Sequence, residues 1–197
     1  TGQDHYHELS QPLTPGFVHA ETGDISSVES LMNTHKTAAV MLECIQGEGG
    51  VLVLEPEFVR GVAKLCRERD VLLIVDEVQT GNGRTGALYS YMNYGITPDI
   101  VTTAKGLGGG LPIGATLIGE KGADVLGFGD HGSTFGGNPV CCAGAVSILS
   151  RLDNAFLAEV KKKGEFALSA FRGARGITSV SGMGLMIGLK PVKPAAE

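Results

Sequence analysis

The sequence contains no apolar run long enough to cross a membrane, since none approaches the about 18 consecutive apolar residues that a membrane span needs. Basic residues are also in deficit: 16 lysines and arginines stand against 21 aspartates and glutamates, for a formal net charge of −5. An acidic chain is poorly suited to bind nucleic acid or an anionic membrane surface. We therefore expect a protein that contacts neither.

Cysteine is scarce and unpatterned. The four cysteines show neither the CxxC spacing of a metal or redox site nor the density of a secreted disulfide scaffold. Free cysteines of this kind are typically reduced packing residues, which predicts a cytoplasmic protein. His5 and His7 flank Tyr6, but no further ligands follow at metal spacing, so a solvated loop is favoured and no metal site is predicted.

The start of the chain shows no signal-peptide pattern and no initiator methionine, since it begins at Thr1 with TGQDHYH. We therefore expect a fragment of a longer protein. Its 197 residues suffice for one sizeable core, or for one domain and part of another. Glycine, by contrast, is abundant: 30 glycines cluster in predicted loops, where they indicate sharp turns or close backbone approaches.

Two short apolar runs, Val71–Val75 and Ile100–Thr103, organise the rest of the chain. Each is rich in β-branched residues without alternation, which is typical of a buried parallel strand. Each is followed by an ionisable residue, Asp76 or Lys105, and then by glycine-rich sequence. Ligands of open α/β sheets bind beyond the carboxyl ends of such strands, so Asp76 and Lys105 are predicted to lie in a site.

The remaining pattern predicts an α/β domain. Residues 1–24 are expected to be irregular, and helix 55–69, with an apolar stripe of Phe58, Val62 and Leu65, joins two buried strands in one β-α-β crossover. The other predicted elements are a helix from Asp24, strands Ala38–Leu42 and Gly114–Ile118, a loop at Gly132–Pro139, helices Val140–Leu152 and 154–171, and strand material in Gly176–Lys190.

One motif matches a known cofactor-binding fingerprint without meeting its structural requirements. Residues 81–86, GNGRTG, match the GxGxxG dinucleotide fingerprint letter for letter. That fingerprint needs its first glycine at the strand end, a helix opening at the third glycine and an acidic residue about 20 positions on. Here Asp76–Thr80 intervene, and the next acid, Asp99, precedes its strand. Dinucleotide binding is therefore not predicted.

Asp76 and Lys105 together suit an aldehyde cofactor. A lysine in an enclosed site is partly neutral and can form a Schiff base, while a carboxylate beside a pyridine nitrogen keeps that nitrogen protonated as an electron sink. A structural salt bridge between the two side chains is the alternative.

Four segments carry a resemblance to a known family: ECIQGEGG (43–50), VDEVQTGNGRTG (75–86), PDIVTTAKGLGGGLPIGA (98–115) and HGSTFGGNP (131–139). They resemble the class III, fold-type I aminotransferases, which use pyridoxal 5'-phosphate (PLP), and within them the acetylornithine and ornithine aminotransferases most. The resemblance implies a three-layer α/β fold with a mostly parallel sheet flanked by helices. It implies that residues 1–150 are part of the PLP-binding large domain, and that 151–197 are a linking helix and the start of a small α+β C-terminal domain.

The resemblance also implies roles for individual residues. Lys105 would be the Schiff-base lysine and the base of the proton shift, and Asp76 would pair with the pyridine nitrogen. The other implied contacts are Val78 behind the ring, Gln79 at the phenolic oxygen, Ser133 and Thr134 at the cofactor phosphate, Glu48 as a gating carboxylate and Glu43 as a further active-site carboxylate. Thr134 would reach the phosphate across a homodimer interface. Taken alone, either glutamate reads more simply as a turn residue.

The sequence departs from the family at some positions. Cys44 stands where relatives usually have proline, and Ser181 where a basic residue is common; neither touches the expected chemistry. The phosphate-cup loop and ring-stacking aromatic lie upstream of Thr1 in relatives, and the arginine expected to pair with Glu48 lies beyond Glu197.

The resemblance implies a transaminase that passes an amino group from N-acetylornithine, or a similar ω-amino donor, to 2-oxoglutarate by a ping-pong mechanism, in arginine biosynthesis. Other class III enzymes stay open as alternatives: ornithine or 4-aminobutyrate aminotransferase and glutamate-semialdehyde aminomutase. A non-catalytic alternative, an inactive truncated fragment, also stays open.

Overall fold

The computed structural model describes residues 4–8 and 10–193, and the chain forms two compact units, Thr1–Thr37 and Ala38–Glu197. The described residues of the first unit form two helices, α1 (Asp4–His7) and α2 (Ile25–Thr34). Asp24 caps α2 by accepting a hydrogen bond from the Ser26 amide at 2.9 Å, which confirms the predicted helix start. Helix α1 is a short exception to the irregular structure predicted for 1–24.

A four-stranded sheet forms the centre of the second unit. Its strands, β1 (Ala39–Leu42), β4 (Leu72–Asp76), β5 (Ile100–Thr103) and β6 (Ala115–Ile118), lie in that order. The β1–β4 and β4–β5 pairs are parallel and the β5–β6 pair is antiparallel. This mixed α/β fold with a mostly parallel sheet confirms the predicted fold class.

The edge strands are more exposed than the sequence indicated. Strand β1 was expected to be buried, but Met41 is 53% exposed, because β1 pairs on only one side in the described sheet. All four residues of β6 are exposed, although the strand itself forms as predicted. The central strands β4 and β5 supply the buried side chains Leu73, Val75 and Val101.

Helix α3 (Pro56–Glu68) makes the crossover between β1 and β4. Pro56 occupies the first helical turn and Glu57 lies at the positive end of the dipole, and both favour a helix start at this point. Its buried residues are Val59, Val62 and Cys66, whereas the sequence predicted Phe58, Val62 and Leu65. Phe58 and Leu65 are only half-buried. The predicted face is thus rotated by about one residue.

The remaining elements surround this sheet. A small hairpin, β2 (Ile45–Gln46) and β3 (Leu52–Val53), follows β1, and helices α4 (Pro139–Leu149) and α5 (Asn154–Phe171) follow β6. The strand material predicted near the end forms an antiparallel hairpin, β7 (Ile177–Met183) and β8 (Met186–Pro191), which packs against α5. The predicted division into residues 1–150 and 151–197 stays a prediction.

Two glycines fix the contact between α5 and the β7–β8 hairpin. A Cβ atom added to Gly164 would overlap the carbonyl oxygen of Gly184 at the hairpin turn. Gly184 in turn lies against the backbone of Thr85, and the Leu185 amide donates to the Arg84 carbonyl at 2.9 Å. Helix, hairpin and the turn at residues 84–85 therefore meet backbone to backbone.

Among the described residues, no single helix is both long and apolar enough for a membrane span; α4 and α5 meet that test only as a pair, with a 75° bend between them.

Candidate active site

The parallel sheet brings the two predicted chemical residues to the same edge. Asp76 is the last residue of β4 and is in register with Thr102 of β5, and the Glu77 amide continues the ladder by donating to the Thr102 carbonyl at 2.8 Å. Lys105 follows Thr102 by three residues and opens a short 3₁₀ turn, Lys105–Gly108. The expectation that both residues follow the carboxyl ends of neighbouring strands is therefore confirmed.

Asp76 is half-buried, and a backbone hydrogen bond orients its carboxylate. Its Oδ1 accepts a hydrogen bond from the Val78 amide at 2.8 Å, which fixes the carboxylate against the turn after β4. Its Oδ2 has no hydrogen-bond partner within the described part of the chain. One carboxylate oxygen is thus held by the backbone and the other is left for a ligand.

Lys105 differs from the prediction in its surroundings. An enclosed lysine was expected from the sequence, but Lys105 is exposed in the structure. Its backbone φ is +44°, a left-handed conformation that is rare for a residue with a side chain. Strain of this kind persists only where neighbouring contacts impose it, and it concentrates at functional sites.

A second group of predicted residues meets at the turn after β4. Gln79 Nε2 donates to Glu48 Oε1 at 3.0 Å, and the Gly47 amide donates to Glu43 Oε2 at 3.1 Å. Gly47 has no space for a Cβ, because the Gln79 side chain would lie 2.5 Å from it. The structure therefore brings Glu43, Glu48 and Gln79 together, with Val78 half-buried beside Gln79.

Ser133 and Thr134 do not join this group within the single chain. Both are exposed in the loop before α4, and in the described residues neither hydrogen-bonds to Asp76, Gln79 or Lys105. Helix α4 itself packs on the turn that follows Lys105, where Gly144 lies close to the Gly108 carbonyl. The phosphate role of Ser133 and Thr134 stays a prediction.

Sequence reasoning missed Glu77, the residue after Asp76. Its side chain is completely buried and its two carboxylate oxygens accept four hydrogen bonds, from Thr80 Oγ1 (2.5 Å), Ser90 N (2.9 Å), Ser90 Oγ (2.7 Å) and Tyr91 N (2.9 Å). No cation pairs with it among the described residues. The acidic pair Asp76–Glu77 was visible in the sequence, but only the alternation of faces along a strand tells which of the two carboxylates is buried in the protein.

Sequence reasoning also missed Asn82, because residues 81–86 were considered only as a dinucleotide-binding fingerprint. Its Nδ2 donates to Thr103 Oγ1 at 2.9 Å and to the Ala104 carbonyl at 3.1 Å, next to Lys105. Residues 78–85 form consecutive turns and no helix opens at Gly86, which agrees with the argument against a dinucleotide fingerprint.

Burial dominates the titration of neighbouring groups. It raises the pKa of the Cys44 thiol from 9.0 to about 12, and the Glu77 carboxylate acts in the same direction against a hydrogen bond with Ser90. Burial likewise raises the pKa values of Tyr89 and Tyr91, whose rings stack at 5.9 Å. These groups stay protonated at neutral pH and serve as packing, as predicted for the cysteine.

The free polar atoms at this edge fit the predicted cofactor. Two buried side-chain oxygens, Asn82 Oδ1 and Thr102 Oγ1, have no hydrogen-bond partner in the described part of the chain. Thr102 shares its sheet face with Asp76, because register partners project to the same side. A half-buried carboxylate and an exposed primary amine at one sheet edge are the two groups that a pyridine aldehyde needs.

An open surface pocket lies away from the predicted site residues. It has a volume of about 380 Å³, is lined by residues of β3, α5 and β7, and includes Arg172. None of the predicted site residues lines it. No group of three or more His, Cys, Asp or Glu side chains suited to a metal ion occurs in residues 4–8 and 10–193.

Comparison with known proteins gives consistent matches. The family model described as aminotransferase class-III matches residues 1–197. Acetylornithine aminotransferase from Haemophilus ducreyi is 47% identical over 190 residues, which are 96% of this chain and 48% of that protein. Succinylornithine transaminase from Yersinia enterocolitica is 45% identical over 192 residues, 95% of this chain and 46% of that protein.

Among solved structures, ornithine aminotransferase from Toxoplasma gondii matches with a TM-score of 0.86 and 38% identity, over 95% of this chain and 46% of that one. That structure is described as having partial occupancy of PLP at its active site. The present chain spans about half the length of the curated relatives it matches.

Proposed function

The chain belongs to the class III aminotransferase family, and on this basis we propose that the complete protein is a PLP-dependent aminotransferase. Its reaction moves an amino group from N-acetylornithine, or a similar ω-amino donor, to 2-oxoglutarate in two half-reactions. The observation that carries this proposal is the position of Asp76 and Lys105 at the ends of neighbouring parallel strands.

The family's cofactor supplies an aldehyde and an electron-withdrawing pyridine ring when bound. We assign Lys105 Nζ to hold the cofactor covalently. After the donor amine has replaced it there, the same nitrogen acts as the base that moves a proton during transfer of the amino group. We assign Asp76 Oδ2 to keep the pyridine nitrogen protonated. The hydrogen bond from the Val78 amide to Asp76 Oδ1 supports this role, because it fixes the carboxylate in one orientation.

The Gln79–Glu48 pair is assigned to the substrate side of the site. Glu48 is exposed, and it accepts from Gln79 Nε2 at 3.0 Å. A gating role requires this carboxylate to change partners between the two half-reactions, and an exposed hydrogen bond is weak enough to break for that exchange. Glu43 is held by the Gly47 amide and supports the loop that carries Glu48.

The identity of the donor rests on the relatives. N-acetylornithine is favoured by a relative of 47% identity, and N-succinylornithine is the second candidate, favoured by one of 45% identity. Both donors present the same ω-amine, so the assigned roles of Lys105 and Asp76 serve either one. Ornithine, 4-aminobutyrate and glutamate-semialdehyde enzymes use the same two roles and are separated by turnover with each donor.

We further propose that the protein works as a cytoplasmic homodimer in arginine biosynthesis. Ser133 and Thr134 support the dimer, because they are exposed and make no hydrogen bond to Lys105 within the described part of a single chain. Across an interface, their hydroxyls and the adjacent glycine amides suit a phosphate group.

The test uses the complete protein and a lysine control. Lys105→Ala is expected to abolish transamination of N-acetylornithine while leaving the circular dichroism spectrum unchanged. Lys64→Ala, at an exposed lysine of α3 whose side chain is 66% exposed, is expected to keep full activity. Retained transamination by the Lys105→Ala variant refutes the assignment, and activity with 4-aminobutyrate alone refutes the proposed donor.

A further inference from the structure

Asn82 hydrogen-bonds to the segment that leads into Lys105. Its Nδ2 donates to Thr103 Oγ1 at 2.9 Å and to the Ala104 carbonyl at 3.1 Å. Its Cβ also lies 3.5 Å from the position that a Cβ on Gly106 would take. One side chain therefore binds the two residues before the lysine and lies beside the residue after it.

The backbone that Asn82 holds is strained. Lys105 has a φ of +44°, and the preceding residue, Ala104, has φ −161° and ψ −142°. A left-handed lysine is unfavourable without an external constraint. The hydrogen bond to the Ala104 carbonyl fixes the peptide plane that enters Lys105, so it supplies such a constraint.

Asn82 is itself anchored. It adopts a φ of +56°, which asparagine tolerates better than most residues, and the adjacent Gly81 amide donates to the Glu77 carbonyl at 2.9 Å. A Cβ on Gly83 would lie 3.2 Å from Leu152 and 3.3 Å from Leu157, so the turn also packs against the start of α5. The Asn82 side chain thus connects the fixed turn at residues 81–83 to the segment that carries Lys105.

The orientation of the Asn82 amide is determined by its partners. Both Nδ2 hydrogens are used, and the Ala104 carbonyl can only accept. A flipped amide would set Oδ1 against that carbonyl. An aspartate at this position would keep the shape of asparagine but repel the Ala104 carbonyl, because an ionised carboxylate has no hydrogen to donate.

We propose that Asn82 is a positioning residue that fixes Lys105 in its reactive backbone conformation. This inference rests on the proposed role of Lys105 as the lysine that holds the cofactor. It gives the GNGRTG segment a function that differs from phosphate binding.

The test measures Lys105 directly in the complete protein. Each variant is mixed with PLP for a fixed short time and treated with borohydride, and the adduct on the Lys105 peptide is quantified by mass spectrometry. The variants are Asn82→Asp, which keeps the shape, and Asn82→Gly, which keeps the positive φ. The matched control is Asn93→Asp, because Asn93 donates one amide hydrogen bond to Thr85 Oγ1 at 3.1 Å and does not hydrogen-bond to residues 103–106.

Both Asn82 variants are expected to form the Lys105 adduct about tenfold more slowly than the wild type, which corresponds to about 1.4 kcal/mol. The Asn93→Asp variant is expected to match the wild type. In turnover, kcat should fall by a similar factor while KM for the donor changes less than about threefold, because Asn82 acts on the lysine and not on substrate binding.

Wild-type rates in both Asn82 variants overturn the inference and leave the proposed function standing. An equal loss in the Asn93→Asp variant also overturns it, because the effect would then belong to the turn as a whole. Failure of the wild type to form an adduct on Lys105 overturns the proposed function and this inference together.

Discussion

The buried Glu77 carboxylate allows a stability change to be worked out atom by atom. In the variant Glu77→Gln, one carboxylate oxygen becomes an NH₂ group that faces hydrogen-bond donors. Whichever oxygen is replaced, one backbone amide, of Ser90 or Tyr91, loses its acceptor, because each oxygen accepts one of these two amides. The hydroxyls of Thr80 and Ser90 can rotate to accept, so they are affected less.

An unsatisfied buried amide costs about 1–3 kcal/mol, and the remaining bonds weaken when their acceptor loses its charge. Removing the buried charge offsets part of this cost. We therefore expect Glu77→Gln to lower the free energy of unfolding by about 2–4 kcal/mol.

Urea unfolding of the complete protein, followed by circular dichroism, measures this change. The control is Glu68→Gln on α3, where the carboxylate is 55% exposed and lies 3.8 Å from Lys64. Exposed pairs of this kind contribute little, so the control should stay within about 0.5 kcal/mol of the wild type. Equal stability of the two variants would refute the reasoning, since it would mean that four buried hydrogen bonds to Glu77 contribute no more than one exposed ion pair.

Two further predictions follow from close packing and from burial. Gly164→Ala should destabilise the protein by about 1–3 kcal/mol in the same urea assay, although alanine favours helices, because the added methyl overlaps the Gly184 carbonyl; a gain in stability would contradict the backbone contact. The pKa of Cys44 is raised from 9.0 to about 12, so the folded state keeps a proton that the unfolded chain loses. Stability should therefore fall as pH rises from about 9 towards 12, and Cys44→Ser should reduce the drop between pH 8 and pH 10.5; an identical drop in that variant would exclude the thiol as a source.

The sequence predicted the sheet strands and the two chemical residues because their signals are local. Strand Ile100–Thr103 has the bounds that its apolar run gave, Asp76 is the last residue of β4, and Lys105 lies two residues after the end of β5. Local signals were less accurate for helix α3. Phe58 and Val59 are adjacent apolar residues, and only packing against the rest of the protein decides which of them is buried.

Other features depend on contacts between distant parts of the chain, so no local pattern predicted them. Glu77 binds the backbone of residues 90 and 91, and Asn82 binds residues 103 and 104. The exposure of Lys105 was mispredicted for a related reason, since enclosure depends on every surface around a residue and not on the strand that carries it.

The exposed strand β6 has a consequence for work with this chain by itself. It is the last strand of the described sheet, and Leu117 and Ile118 are 44% and 41% exposed. An apolar strand with an open edge is a template for adding further strands, which natural proteins normally protect with charge, proline or a covering element. Concentrated preparations of residues 1–197 are therefore expected to form β-rich aggregates through this edge.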